Sequence, residues 1–587
     1  MSELAGVKVN LVETLDEAQT FLLWLKRQRR ILAIDTETTG LVWTDPNFVR
    51  LVQFGDELEA WAVGAREWWQ VIAEALDYVH ESRQPVAMHN AKFDVHAIEV
   101  SGWKAPMWAA IHDTKIMDHL VYPIRSHALK RMGARRFGEQ ATVGEKMLRH
   151  TMSVNKWTWA TVPVGCPEYW AYGCMDTVLT ARFAIELGAE LSERGLTDAY
   201  ARESAAQAVI YRMEKRGLAI DTEYASALRD EWAEEKLAIQ LQLHAWGVNN
   251  PNSKADVVYA LKRKEGWEPE GFTDTGEPKL DKSILQGMDS QIAPLILRYK
   301  RIVKWTGAYL DHFIDGAVDG RVHPSINSMA ARTGRMSIQN PALQTLPSKE
   351  ASIRKCIVPD GPELWAVDYD AMELRVMASF SGDPGLLDMF RSGLDPHSQT
   401  AAMVYGLPYE DVLAGKHPVQ RGTAKNTVFA RIYGAGARTI AETAGVPEAQ
   451  IQEFLSLYDN AFPGVDRFMS SVEMTAKSRL LNEGEAYVTT PYGRWLNAEA
   501  DSIFKLVNYV IQGTCADLLK DKIVLLDKQG LGDHIMLPVH DEIILDCDEE
   551  TAKEACILLE EHERFAVPLT ASAEGPFNSW GQAKEQA

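Results

Sequence analysis

The chain has 587 residues, of which 46% are hydrophobic and 24% charged, a mixture typical of a folded globular protein rather than a disordered, fibrous or membrane-embedded one. At about 100 to 200 residues per domain, this length predicts about three to five domains. Acidic residues outnumber basic ones by 82 to 61, which gives a net charge of −21. Any contact with nucleic acid must therefore be local.

The six cysteines stand singly in the sequence, and none forms a C-x-x-C pair. This pattern predicts neither a disulfide framework nor a zinc site, and it favours a reducing compartment. No apolar stretch reaches the roughly 18 residues needed to cross a bilayer. The first ten residues lack a basic segment followed by an apolar run, so we expect a cytoplasmic protein without an export signal or a membrane anchor.

The first chemical signal is a short apolar run, residues 31–34, that leads directly into the acids Asp35 and Glu37. This pattern predicts a buried strand whose two acids, two residues apart, point to the same face. Two converging carboxylates can hold a hard divalent cation such as Mg²⁺ or Mn²⁺. Taken alone, the same pattern also fits a turn at a strand end that carries two solvated acids.

Further acids and a tyrosine follow downstream. Asp94 closes the segment His-Asn-Ala-Lys-Phe-Asp, and Tyr172 and Asp176 lie in a stretch typical of a helix. Their spacing of four residues places Tyr172 and Asp176 on one helix face. Together with Asp35 and Glu37, these acids supply enough carboxylates for two cations, and Tyr172 is placed to orient an attacking water.

In this order and spacing, residues 1–190 resemble the proofreading 3′–5′ exonucleases of the DEDD type, in the variant with a tyrosine in the third motif. The resemblance implies an RNase H-like α/β domain that hydrolyses the last phosphodiester at a DNA 3′ end. It also implies that two Mg²⁺ ions, with Mn²⁺ as an alternative, are bound by Asp35, Glu37, Asp94 and Asp176.

A second set of acids lies in the C-terminal two-thirds of the chain. The apolar run 364–367 leads into Asp368 and Tyr369 and then changes to a helical pattern, which predicts a strand, an acid and a helix. Far downstream, two apolar runs flank His540 and Asp541, a pattern typical of a hairpin with acids at its turn. If these segments are neighbouring strands, Asp368 and Asp541 converge on a second cation site. Alone, each fits the polar end of a loop.

Between these segments, Arg421, Lys425, Phe429 and Tyr433 recur every four residues, so at about 100° per residue they lie along one stripe of a helix. The arginine fork and the compact lysine charge suit a triphosphate. The two rings offer surfaces for a sugar and a base. An amphipathic helix with aromatic residues in the core is the alternative, but it leaves the two cations on that stripe unexplained.

Together these segments resemble the family A DNA polymerases, the group of DNA polymerase I and related phage replicases. Three motifs occur in the family's order at residues 368–375, 421–434 and 539–542. The resemblance extends from about residue 200 to the end and implies an α/β multidomain fold, in which the exonuclease domain precedes a right-hand polymerase domain at 191–587. The implied subdomains are a thumb at about 200–325, a palm at about 326–390 and 488–587, and fingers at about 391–487.

The resemblance also implies roles for single residues. Two Mg²⁺ ions are expected on Asp368, Asp541 and the carbonyl group of Tyr369, and Lys425 is expected to protonate the leaving group. Glu373 is expected to exclude a ribose 2′-hydroxyl. The deoxynucleotide is expected to contact Arg421, Lys425, Phe429, Tyr433, His397 and Glu373. Primer–template DNA is expected to contact Arg335, Gln344, Asn508, Gln512 and His540.

A short basic stretch lies in the expected thumb. Its cations could follow DNA phosphates and make binding depend on salt. They are Arg298, Lys300, Arg301 and Lys304. The alternative is a solvated basic face of a helix.

Other features narrow the prediction to a compact phage-type replicative DNA polymerase. Glu373 and the exonuclease motifs argue against a single-subunit RNA polymerase. The exonuclease motifs begin at residue 35, so we expect no 5′ nuclease, and the thumb shows no insertion of the kind that recruits a thioredoxin-type processivity factor. Expected partners are primer–template DNA and deoxynucleotides, with a helicase–primase or a single-strand-binding protein at the replication fork. The alternative is a DNA-binding replisome component that retains only 3′–5′ exonuclease activity.

Overall fold

The computed structural model describes residues 6–42, 44–45, 47–269, 271–346, 351–432, 436–444 and 446–584. Two predicted site features, Tyr433 and the side chain of Phe429, lie outside this part of the chain. Among the described residues, no helix combines the length and the apolar character that crossing a membrane requires.

The N-terminal part of the chain alternates strands and helices around one mixed sheet. Its strands are β1 (Lys8–Val12), β2 (Leu32–Thr38), β3 (Val49–Gly55), β4 (Glu59–Gly64), β5 (Val86–Met88) and β6 (Ile111–Asp113), and its helices are α1 (Leu15–Arg27), α2 (Trp69–Ser82), α3 (Ala91–Val100), α4 (Thr114–Val121), α5 (Leu129–Phe137), α6 (Val143–Asn155) and α7 (Pro167–Glu193). The strand order is β1-β4-β3-β2-β5-β6, and β3 runs antiparallel to both of its neighbours. The predicted strand that carries Asp35 and Glu37 is β2, and the predicted helix that carries Tyr172 and Asp176 is α7.

Helix α7 packs closely across β2, β3 and β4. At Gly173 a β-carbon would lie only 2.3 Å from Nε2 of Gln53 on β3, so a glycine is needed there. A second close contact between the helix and the sheet lies at Gly55 of β3, where a β-carbon would lie 2.5 Å from the Thr177 hydroxyl. This close approach brings Tyr172 and Asp176 next to β2.

The next part of the chain is mostly helical. It comprises α8 (Thr197–Arg216), α9 (Thr222–Ala245), α10 (Lys254–Glu265), α11 (Lys282–Gly287), α12 (Ile292–Trp305) and α13 (Asp311–Ile314), with the short strands β7 (Leu218–Ala219), β8 (Arg321–Val322), β9 (Ser325–Asn327) and β10 (Ser337–Gln339). The strands pair antiparallel as β7 with β8 and β9 with β10. The predicted basic thumb helix is α12.

The C-terminal part is built on an antiparallel sheet of order β14-β15-β11-β16. Its strands are β11 (Leu364–Tyr369), β14 (Ile535–Val539), β15 (Glu542–Asp546) and β16 (Ala571–Phe577), and a separate pair is formed by β12 (Ala486–Thr489) and β13 (Trp495–Ala498). The helices are α14 (Met372–Ser381), α15 (Pro384–Arg391), α16 (Pro396–Tyr405), α17 (Tyr409–Leu413), α18 (Pro418–Ile432), α19 (Ala437–Ala444), α20 (Glu448–Ala461), α21 (Pro463–Glu483), α22 (Leu506–Lys528) and α23 (Glu549–Glu560).

Both predictions for this sheet are confirmed. A strand, β11, delivers Asp368 and is followed at once by helix α14. Strands β14 and β15 form a hairpin whose turn holds His540 and Asp541, and β15 pairs with β11 so that Asp368 lies opposite Glu542. The two acidic segments are therefore neighbouring strands.

Helix α8 links the two parts of the molecule through two buried glutamates. Glu203 accepts hydrogen bonds from Lys520 at 2.7 and 2.9 Å and also contacts the Arg494 guanidinium. Glu214, three turns later, binds Lys92 of α3 and lies 3.2 Å from Nε2 of His96. Since a buried carboxylate needs a partner of opposite charge, these contacts hold α3 and the C-terminal part to the same helix.

Arg494 is fully buried, and its Nε and Nη2 donate to Asp517 at 2.9 and 2.7 Å while it also contacts Glu203. Replacing it by methionine leaves Glu203 with Lys520, and leaves Asp517 with the Thr490 hydroxyl and with the Arg202 guanidinium 3.9 Å away. We expect Arg494→Met to lower the free energy of unfolding by about 3–5 kcal/mol, the usual cost of removing one partner of a buried ion pair. The measurement is a urea titration followed by far-ultraviolet circular dichroism.

The matched control is Arg438→Met, because Arg438 pairs with Glu442 on the exposed face of α19. Such exposed pairs contribute little to stability, so the control should unfold with the parent. Equal urea midpoints for Arg494→Met and the parent would contradict the stabilising role of the buried network.

Candidate functional site

Three of the four acids predicted for the N-terminal site come together. Asp35 and Glu37 of β2 and Asp176 of α7 each present a carboxylate oxygen, and these oxygens lie within 4.8 Å of one another. Glu37 and Asp176 are buried, and Asp35 is partly exposed. A set of ligands made only of carboxylate oxygens fits Mg²⁺ or Mn²⁺.

The fourth acid, Asp94 of α3, stands beside this cluster rather than in it. Its Oδ1 accepts hydrogen bonds from the backbone N–H and the hydroxyl of Thr36, at 3.0 and 2.7 Å. Both donors of Thr36 bind the same oxygen of this carboxylate. Burial and the charge of Asp35 together raise the pKa of Asp94.

The cluster concentrates carboxylates in a largely buried site. Burial raises the pKa of Asp35 to about 7, although the Lys130 ammonium opposes that rise. Burial raises the pKa of Glu37 as well, and the charges of Asp35 and Asp94 add to the effect. Such like charges are stable together only when protons or cations offset them.

Lys130 of α5 also lies at this carboxylate cluster, and the sequence analysis did not predict it. Its ammonium pairs with Oδ1 of Asp176 and lies 4.1 Å from the centre of the Tyr172 ring. Burial lowers the pKa of Lys130 to about 8, against the charges of Glu37 and Asp35. In the segment Leu-Lys-Arg-Met-Gly-Ala-Arg-Arg-Phe, Lys130 looks like one of several surface cations, so the sequence carries no signal for it.

The second site surrounds the β14–β15 hairpin. Asp541 lies in its turn, after His540 in the left-handed conformation with φ 60°. A cavity of about 420 Å³ opens beside the turn. Five predicted residues line it, namely Arg335, Gln344, Glu373, His540 and Asp541.

Several side chains near this cavity already have partners. Arg335 pairs with Glu373, and Oε1 of Gln344 accepts a hydrogen bond from the Ile338 backbone at 3.3 Å. The Tyr369 hydroxyl donates to the Leu559 carbonyl at 2.7 Å and anchors the end of β11. By contrast, Asn508 on α22 is not among the residues that line the cavity, and its Oδ1 is buried without a hydrogen-bond partner among the described residues.

A cationic group lies on α16 and α18. Arg421 donates to the Ser398 hydroxyl at 3.0 Å and pairs with Asp395 at 3.2 Å, while Lys425 is exposed. Burial, together with the charges of Lys425 and Arg421, lowers the pKa of His397 to about 4, although the charge of Asp395 opposes this shift. The structure therefore brings together the three predicted phosphate ligands, with Arg421 held by an acid that the prediction did not include.

The basic stretch of α12 is mostly exposed. Lys300, Arg301 and Lys304 face outward, and the Arg301 guanidinium lies 5.3 Å from the centre of the Trp305 ring. Arg298 differs, because it donates to both oxygens of Glu235 on α9 at 2.7 and 2.6 Å. Three cations of the stretch are thus accessible, while Arg298 joins two helices.

His397 makes stability depend on pH. Its pKa of about 4 in the folded chain lies below the ordinary value of 6.5, so between these pH values the unfolded chain binds more protons. Stability from this group is present above pH 6.5 and is lost as the pH falls towards 4. When the pH falls from 7 to 4.5, we expect the urea midpoint of His397→Gln to decrease less than that of the parent. The exposed His150→Gln is the control, and an unchanged acid dependence in His397→Gln would contradict this assignment.

Comparison with known proteins identifies the family of each part of the chain. Residues 222–582 match the sequence profile described as DNA polymerase family A, and residues 9–192 match the one described as 3′-5′ exonuclease. A DNA polymerase of Mycobacterium phage D29 is 30% identical, and the match covers 98% of this chain and 97% of that protein. DNA polymerase I of Pseudomonas aeruginosa is 27% identical over 97% of this chain and 65% of its own length.

A solved structure has the same fold. It is the POL domain of Pol1 from M. smegmatis in complex with DNA primer-template and dNTP, with a TM-score of 0.78, 21% identity, and coverage of 98% of this chain and 100% of that chain. The family match spans more than half of the chain and includes both acidic strands and the cationic helix. The chain therefore belongs to the family A DNA polymerases and is a DNA-directed DNA polymerase with a 3′–5′ exonuclease domain.

Proposed function

We propose that this polymerase extends DNA primers on a template, trims mispaired 3′ ends with its exonuclease domain, and serves phage DNA replication in the cytoplasm of a bacterial host. The observation that carries the proposal is the pairing of β11 with β15, which sets Asp368 opposite Glu542 and one residue from Asp541. Acids far apart in sequence thereby lie on neighbouring strands or in the adjoining turn, and Asp541 lines the cavity there. The DNA primer-template and dNTP held by the mycobacterial structure support the same substrates here.

We propose two Mg²⁺ ions at each centre, with Mn²⁺ as an alternative. Asp368, Asp541 and the Tyr369 carbonyl would hold them at the polymerase centre. At the exonuclease centre the ligands would be Asp35, Glu37 and Asp176, with Asp94 completing the set. When bound, such ions lower the pKa of the attacking hydroxyl or water and stabilise the charge that develops on the phosphate.

The chain's own cations would bind the incoming triphosphate. Arg421 and Lys425 would hold its oxygens, with His397 beside them, and Arg421 would exchange Asp395 for phosphate as the nucleotide arrives. Lys425 would then donate a proton to the leaving pyrophosphate, since lysine can serve as a general acid. Phe429 and Tyr433 would pack against the sugar and the base.

Contacts to DNA would surround the cavity at the hairpin. Arg335, Gln344, Asn508, Gln512 and His540 would meet the minor groove, where acceptors shared by all base pairs test pair geometry without selecting sequence. Glu373 would fill the space that a ribose 2′-hydroxyl needs. Lys300, Arg301 and Lys304 would follow the phosphates and make binding depend on salt.

At the exonuclease centre, Tyr172 would orient the attacking water. It lies one helical turn before Asp176. The centre of its ring lies 4.1 Å from the Lys130 ammonium and 6.0 Å from the centre of the Trp159 ring. We propose the domain boundaries 1–190 for the exonuclease and 191–587 for the polymerase, with thumb, palm and fingers as the sequence predicts. The two profile matches, at residues 9–192 and 222–582, support this division.

Primer extension on a 3′-recessed DNA duplex with Mg²⁺ separates the two centres. We expect the parent to extend the primer when deoxynucleotides are present and to shorten it when they are absent. Asp541→Ala should lose extension by at least about a thousandfold, since it removes a metal ligand, and should keep 3′ shortening. Asp35→Ala/Glu37→Ala should show the opposite pattern.

The outcomes that contradict the proposal are specific. Shortening by the parent under both conditions, with no extension by Asp35→Ala/Glu37→Ala, would mean that the polymerase part only binds DNA. Loss of both activities in Asp541→Ala, with unchanged thermal stability, would mean that the two centres are not independent.

The phenylalanine at position 429 predicts that the enzyme discriminates against dideoxynucleotides. A dideoxynucleotide lacks the 3′-hydroxyl and its contact, and phenylalanine, unlike tyrosine, has no hydroxyl group that could replace that contact. We expect Phe429→Tyr to raise dideoxynucleotide incorporation on the order of tenfold, the effect of one good hydrogen bond. Phe504→Tyr, a like change at an exposed position, is the control. Unchanged incorporation by Phe429→Tyr in a competition assay would remove this role.

A further inference from the structure

The polymerase's exonuclease centre contains a cation of its own. The side chain of Lys130 is only 15% exposed, and its ammonium contacts the Asp176 carboxylate. The same ammonium lies 4.1 Å from the centre of the Tyr172 ring, a distance at which a cation is attracted to an aromatic face. One lysine thus touches both an acid of the carboxylate cluster and the tyrosine expected to orient water.

The helix that carries Lys130 is placed for this contact by close packing. A β-carbon at Gly133, three residues after Lys130, would lie 3.5 Å from Leu179, which is three residues after Asp176 on α7. The Lys130–Asp176 contact and the Gly133–Leu179 contact therefore lie one turn apart along both helices. This register directs the lysine into the cluster.

A purely structural ion pair between α5 and α7 is the simpler explanation, but another residue already fills that role. Arg136, at the end of α5, binds Glu186 at 3.1 Å and Glu190 at 2.5 Å on α7. These contacts lie on the later part of α7, about three to four turns beyond Asp176. Lys130 instead faces three carboxylates within 4.8 Å of one another. A positive charge there offsets the repulsion between the carboxylates.

We propose that Lys130 is a tethered cation of the exonuclease centre, a positioning residue that holds Asp176 and Tyr172 in place and competes with divalent cations for Asp176. The proposal rests on the proposed function, in which these carboxylates bind Mg²⁺ or Mn²⁺. The flexible lysine stem lets the ammonium leave Asp176 while α5 stays in place. Metal-free enzyme would thus keep an ordered centre, and metal binding would have to displace the lysine.

The test measures Mn²⁺ binding by electron paramagnetic resonance in the full chain. All variants carry Asp368→Ala/Asp541→Ala, so that the polymerase centre does not contribute. We expect Lys130→Met to bind Mn²⁺ more tightly than this parent, with a Kd lower on the order of tenfold, because the competing charge is gone. Lys130→Arg should keep the parent's Kd, and Arg136→Met, which removes an ion pair of α5 outside the cluster, should keep it too.

Thermal unfolding gives an independent readout. In EDTA, Lys130→Met should melt below the parent, because the buried carboxylates lose their counterion, and Mn²⁺ should raise its melting temperature more than it raises that of the parent. Arg136→Met should show the parent's response to Mn²⁺. This comparison shows whether Lys130→Met is folded, and Lys130→Arg provides the second variant if it is not.

Each outcome decides the question. An equal or weaker Mn²⁺ affinity in Lys130→Met, with binding abolished by Asp35→Ala/Glu37→Ala, would overturn the role of Lys130 and leave the metal centre intact. Parent enzyme that binds no Mn²⁺ at this centre would instead overturn the proposed function, and this inference with it.

Discussion

Helix α8 carries two buried glutamates whose counterions come from opposite parts of the molecule. Glu214 binds Lys92 of α3, and Glu203 binds Lys520 of α22 and Arg494 beside β13. Neither carboxylate can stay charged in the core without its cation. Separating the exonuclease fold from the polymerase fold would therefore break buried ion pairs, at a large cost in free energy. The helix therefore acts as a common base for both catalytic centres.

This joint reaches the exonuclease centre directly. Lys92 stands two residues before Asp94 on α3, and its ammonium also contacts the Ile326 carbonyl on β9. A shift of α3 relative to β9 would break a buried ion pair, a far larger penalty than the loss of an exposed contact. The contacts of Lys92 therefore tie the helix that carries Asp94 both to α8 and to β9.

Local sequence patterns predicted the strands, the hairpin and the cationic helix because those patterns report short-range periodicity. An apolar run ending in Asp368 and a second run ending before Asp541 are visible without knowing what lies opposite them. The partners of those residues are set by tertiary packing and leave no local trace. Thr36 donates two hydrogen bonds to Oδ1 of Asp94, and Asp395 pairs with Arg421, although neither contact follows from spacing. Lys130 reaches Asp176 because α5 packs against α7, a tertiary contact that no local pattern reveals.

The contacts that the sequence did not predict share one form. Lys130 pairs with Asp176, Arg421 with Asp395, and Arg335 with Glu373, so each of these three cations is already paired with an acid in the same centre. Phosphate is an acceptor that can replace a carboxylate on arginine or lysine, and a divalent cation can replace a lysine on a carboxylate. Binding is then an exchange of partners rather than the creation of a charge pair from solvated groups. For a protein with a net charge of −21, this arrangement keeps each centre ordered without substrate and ready to receive an anionic one.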